Sequence, residues 1–210
     1  MKRITPFVKV SIAVILLFAA LALAACGYLA SKNIAIEELP PDLEKLVSSH
    51  VDSLIESDFR DLLEIDIQLS AVTKSTDTVF FETYVKATTI FLPAKYRTYH
   101  LLANKALVEN RPSEEALKAI LAHELTHILD YTNKGTLELI ELDRQYGDDS
   151  FRRTYERDVD RRTVELGYGL GLSEYRYWLY SEIADDEKIS VKRFIYMTPD
   201  EIESAITVLD

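Results

Sequence analysis

The stretch from Ser113 to Tyr131 constrains this chain more than any other. Leu117, Ile120, Leu121, Leu125, Ile128 and Leu129 recur at helical spacing. A helix this apolar belongs inside a domain. Ser113 suits the N-cap, and Glu114 and Glu115 suit the positive helix start. Gly135, after Asn133 and Lys134, reads as the stop. Set in the middle is Ala122-His123-Glu124-Leu125-Thr126-His127, the H-E-x-x-H pattern. Residues four apart on a helix lie one above the other, so both imidazoles can converge on one metal ion. Glu124 leaves at a different angle, which lets it reach a water beside the ion.

The next long helical stretch offers a third ligand. Tyr155-Glu156-Arg157-Asp158-Val159-Asp160 contains E-x-x-x-D, and Glu156 and Asp160 share a helix face. Glu156 can bind the ion through one oxygen. Asp160 can accept a hydrogen bond from the outer nitrogen of a ligating histidine and so fix its orientation. Two histidines and one carboxylate leave a position open, as catalytic rather than structural zinc sites do. Asp130, three residues beyond His127, is a rival third ligand, though a helix-end carboxylate is its simpler role. His50 and His100 are unpaired in sequence.

Together these motifs resemble the gluzincin zinc metallopeptidases. The runs EALKAILAHELTHILDY and YERDVDRRTVELG are similar to the family of the CAAX prenyl endopeptidases and its single-domain relatives, the minigluzincins. The resemblance spans about Thr78 to Gly167. It implies one Zn2+ per chain held by His123, His127 and Glu156, with Glu124 as general base in peptide hydrolysis by zinc-activated water. It also implies an antiparallel sheet whose edge strand, TVFFETYVKA or TTIFLP, binds extended peptide. Val159 stands where the family usually has a small residue. The prenyl endopeptidases' multiple membrane-spanning helices have no counterpart, so a prenylated substrate is not expected. Tyr168, Tyr175 and Tyr177 are oxyanion-stabilising candidates by position only. The alternative is an envelope lipoprotein that binds zinc without cleaving peptides. Glu124, which a pure binding site does not need, favours the enzyme.

The N-terminus carries a targeting pattern. Basic Met1-Lys2-Arg3 leads into an apolar run of sixteen residues from Val10 to Ala25, shorter than the ~20 a bilayer span needs. The run ends in Leu23-Ala24-Ala25-Cys26, which resembles the lipobox of bacterial lipoproteins. That resemblance implies removal of residues 1–25, acylation of Cys26 and a membrane-anchored location in the cell envelope, outside the cytoplasm. An uncleaved signal anchor is the alternative. Cys26 is the only cysteine, so no internal disulfide is possible. Without Lys2, Arg3 and Lys9, 21 basic residues face 35 acidic ones, a net charge of −14. Such acidity argues against nucleic-acid binding, which needs basic patches. A monomer acting on peptide or protein is expected.

The remaining pattern predicts a tether over 26–41 and one α+β domain over 42–210. Residues 42–66 are either its N-terminal helix or a pro-segment. A helix is expected over 42–56, strands over 65–72, 78–87 and 88–92, and a weaker helix over 96–108. Further helices are expected over 151–166, ended by Gly167, and from a Thr198-Pro199-Asp200-Glu201 capping box onward, with a short strand over 189–196. The fold expected is a small antiparallel sheet on the metal-site helix, followed by a mostly helical half.

Overall fold

A computed structural model of the chain describes residues 36–72 and 79–209. The expected signal peptide, Cys26 and the first part of the expected tether lie outside those residues. The described order is β1 (Ile36–Glu37), α1 (Pro41–Ser57), β2 (Asp66–Val72), β3 (Phe81–Val85), β4 (Thr98–Asn104), α2 (Glu114–Thr132), α3 (Thr136–Tyr146), α4 (Asp149–Thr163), α5 (Gly169–Glu182), α6 (Asp186–Ile195) and α7 (Pro199–Leu209). This is an α+β chain with a helical C-terminal half. Among the described residues no helix is long and apolar enough to cross a membrane.

The sheet is mixed rather than antiparallel. Its order is β1-β2-β4-β3, with β2 parallel to β4 and β3 antiparallel to it. The cause is the path of the chain. After β2 it moves to the far edge as β3, then turns back and fills the gap as β4. The end of the expected tether forms β1, which pairs with β2.

Three elements differ from the sequence expectation. Residues 98–104, read as part of a weak helix, form the interior strand β4. All seven are buried, and a strand covered on both faces shows a continuous apolar run without the alternation that marks a half-exposed one. Residues 88–92, read as a strand, form a 3₁₀ turn and bend. Residues 189–196, read as a strand, lie mostly in α6, which Asp185 caps by accepting from the Glu187 and Lys188 amides. A side-chain cap forms one end of a helix whatever the later alternation suggests.

The core lies between the sheet and α2. Leu43, Val47, Val51 and Leu54 of α1 join Tyr99, Leu101 and Ala103 of β4 and Leu117, Leu121 and Leu125 of α2 there. Ser113 caps α2 through the Ala116 amide, 3.2 Å away. Gly135 opens α3 at φ −72° instead of closing α2 in a left-handed turn. At the end of α4 the chain loses α geometry, and Gly167 takes φ +92°, a conformation that costs glycine little.

Helices α2 and α5 meet at Gly171. A Cβ there would stand 2.5 Å from the Glu115 carbonyl oxygen and 2.9 Å from Ala119 Cβ. The backbone cannot yield as a flexible side chain would, so Gly171→Val should force the helices apart. A loss of about 1–3 kcal/mol or more is expected, measured by chemical denaturation. An unchanged unfolding midpoint would show that the contact is not tight.

Candidate metal centre

Two helices build the centre. Helix α2 carries His123, Glu124 and His127, buried at mid-helix, and α4 packs across it with Glu156 and Asp160 buried. Asp148 starts α4 by accepting from the Phe151 amide at 2.8 Å, which sets the helix phase and turns Glu156 and Asp160 inward.

The inner nitrogens of the two histidines, both Nε2, lie 3.1 Å apart. Each is 3.3 Å from Glu156 Oε2. Ligands of a tetrahedral ion with bonds of about 2.0–2.1 Å lie roughly 3.3 Å apart, so this triangle has the right size for one. Glu156 Oε2 is buried with no hydrogen-bond partner among the described residues. A buried carboxylate oxygen left bare is costly, and a cation between the three groups would satisfy it. His123, His127 and Glu156 therefore form a group able to hold a metal ion.

Supporting contacts orient all three. Glu156 Oε1 accepts from the Tyr146 hydroxyl. His123 Nδ1 lies 3.0 Å from Asp160 Oδ1, off the line of a well-formed hydrogen bond. Asp160 also accepts from Arg176 Nη2 and the Met197 amide, both at 2.8 Å. His127 Nδ1 faces the Tyr155 hydroxyl at 3.4 Å, and that hydroxyl donates to Asp130 Oδ2 at 2.7 Å. Asp130 is thus a support beneath His127 and lies outside the ligand triangle. It also pairs with Lys134 at 2.9 Å.

The protein alone carries a strained charge balance here. Burial disfavours the charged form of His123, but the close carboxylates of Asp160 and Glu156 outweigh it and lift the imidazole to about 9. Burial opposes the Glu156 carboxylate too, yet the two histidines hold it well below the usual carboxylate range. Each shift is the other group's doing, because an imidazole and a carboxylate this close favour the charged form of both.

Glu124 stands beside the triangle without joining it. Its Oε2 accepts from Thr83 Oγ1 of β3 at 3.0 Å. Burial raises its pKa, partly offset by the histidines, which suits a group that must take and return a proton. The site opens into a cleft of about 1430 Å³ with β3 along one wall and α6 along another.

β3 is an edge strand. The Asn104 amide donates to the Phe80 carbonyl and the Lys86 amide to the Thr98 carbonyl. Those bonds fix the alternation: even-numbered residues face β4, so Phe81, Thr83 and Val85 turn their backbone groups to the open edge.

Of the tyrosines named from sequence, Tyr168 and Tyr177 lie away from the centre, while Tyr175 lines the cleft that holds it. Tyr168 donates to Asp58 at the end of α1. Tyr177 is exposed, and Tyr175 is buried against Trp178 on the cleft wall. The residues that do gather there and were missed are Tyr131, Tyr146, Tyr155, Tyr196 and Arg176. Tyr131 stood four residues beyond His127, the same helix step that marked the histidines, and its ring stacks on His127 at 6.0 Å. The chain matches no family model and no curated protein.

Proposed function

We propose that the chain is a zinc metallopeptidase, lipid-anchored at Cys26 on the outer side of a membrane. The observation that carries the reading is the ligand triangle with Glu124 beside it. Two histidines and a glutamate suit zinc with an open position, and a site that only stored metal would need no buried carboxylate next to the ligands. The open backbone edge of β3, lying along the same cleft, fits addition of an extended peptide as a further strand.

Zinc, when bound, supplies a Lewis acid that polarises a carbonyl and makes water a nucleophile near neutral pH. The protein supplies the rest. The free backbone groups of Thr83 and its neighbours align the peptide. Glu124 takes a proton from the attacking water and returns it to the leaving nitrogen. Thr83 Oγ1 holds the Glu124 carboxylate in place. Asp160 stands beside the outer nitrogen of His123 and Tyr155 beside that of His127, which leaves the inner nitrogens to face the centre.

The test is the metal content of the purified full-length protein beside Glu156→Ala. About one zinc per parent chain is expected. The variant's affinity should fall by more than about 100-fold, the upper end of what losing a supporting hydrogen bond costs. A folded parent that takes up no zinc would remove the proposal.

A further inference from the structure

The link between α6 and α7 is fastened to the metal-site helix. Arg157 Nη1 donates to the Tyr196 carbonyl at 2.8 Å, and Arg157 also pairs with Glu201. The next amide, Met197, donates to Asp160. Arg157 and Asp160 are neighbours on the helix that carries Glu156, and both grip residues 196–197, so the position of Tyr196 is tied to that of the ligands.

The Tyr196 side chain is held as firmly. Its ring lies over the guanidinium of buried Arg176, 4.5 Å from its centroid, and Lys192 Nζ stands 5.3 Å from the same ring. The His123 ring is 6.2 Å away. The two flanking cations hold the ring in place by attraction to its π face. Around the centre, Tyr146 spends its hydroxyl on Glu156 and Tyr155 spends its own on Asp130. The Tyr196 hydroxyl has no hydrogen-bond partner among the described residues, and Tyr196 lines the cleft.

Resting on the peptidase reading above, we infer that Tyr196 is a catalytic residue: its hydroxyl donates a hydrogen bond to the oxyanion formed from the scissile carbonyl. Water oxygen bonds to the carbonyl carbon as Glu124 takes the water's proton. The carbonyl π electrons move to the oxygen, where Tyr196 stabilises them without giving up its proton. The electrons then return, the C–N bond breaks, and Glu124 delivers its proton to the amine. Preorganised donors of this kind act because they are fixed before charge develops. The fastening to Arg157, Asp160 and Arg176 provides that fixity. A tyrosine that merely filled space would need no free hydroxyl and no cations on its ring.

The experiment compares full-length parent and Tyr196→Phe in zinc content, cleavage of a quenched-fluorescent peptide mixture, and calorimetric binding of a phosphinic peptide, which carries a tetrahedral oxyanion. The deleted hydroxyl bonds nothing, so fold and zinc content should not change. Expected are a kcat lower by on the order of 10²-fold, a nearly constant KM, and a comparable loss of phosphinic-peptide affinity. An active parent matched by Tyr196→Phe in both kcat and inhibitor affinity overturns the assignment alone. A zinc-loaded parent that neither cleaves any peptide nor binds the phosphinic peptide overturns the peptidase reading, and this assignment with it.

Discussion

Glu124→Gln should keep its zinc and lose peptide hydrolysis, by roughly 10²–10⁴-fold or more, the range that a positioned general base contributes. The two side chains have the same shape, and the amide oxygen of glutamine can still accept from Thr83 Oγ1, which lies 3.0 Å from the native carboxylate. The ligand triangle does not include Glu124, so the ion has no reason to leave. What is lost is the ability to take a proton. The substitution should also leave stability equal or improved at neutral pH. Burial raises the Glu124 pKa, so folding disfavours the ionised carboxylate. That cost is absent at low pH, grows as pH rises through the folded pKa, and disappears in a neutral glutamine. Zinc content, turnover and a thermal melt on one preparation check all three points. A fully active Glu124→Gln protein would sink the mechanism.

The ligands were legible in the sequence because they lie on single helices at fixed spacing. Four residues separate His123 from His127 and Glu156 from Asp160, and helix geometry alone turns such spacing into a shared face. What brings the two helices together is long-range packing, for which the spacing offers no direct signal. The supporting groups show the limit. Arg176 reaches Asp160 from sixteen residues away, and Tyr146 reaches Glu156 across a helix turn and a loop. Neither interval is a helix repeat on one element, so twelve tyrosines offered no means of choosing between them. Tyr196 was hidden twice, first by the strand reading of residues 189–196 and then by its position in a link whose placement depends on Arg157 and Asp160.

The sheet failed for a different reason. β2 was readable because one face is half-exposed, with Ile67, Leu69 and Ala71 turned to the core. β4 was not, because burial on both faces erases alternation. Strand direction was beyond local pattern altogether. Nothing in β2 or β4 alone reveals that β3 takes the outer edge and forces the parallel pairing. That arrangement matters for the site, since the strand left with an open edge is the one whose Thr83 touches Glu124.

Arg176→Met should be among the most destabilising single substitutions in the molecule. Asp160 is fully buried and Arg176 nearly so. Their 2.8 Å contact is the only salt bridge Asp160 makes to an arginine or lysine among the described residues. Methionine roughly keeps the length and fills apolar space, but it leaves the Asp160 carboxylate without its cation. Breaking a buried pair on one side typically costs about 3–5 kcal/mol, a drop of roughly 10 °C in Tm for a domain of this size. Because Asp160 also faces His123 Nδ1 and holds the Met197 amide, the damage should reach the metal. Loss of such support lowers affinity by about 10–100-fold. A second substitution separates charge from packing: Arg176→Met combined with Asp160→Leu removes both charges and should recover much of the stability, while zinc affinity stays low because His123 has lost its partner. Equal unfolding midpoints for parent and Arg176→Met would mean that Asp160 is not held by this charge, and the account of how His123 is oriented would fall with it.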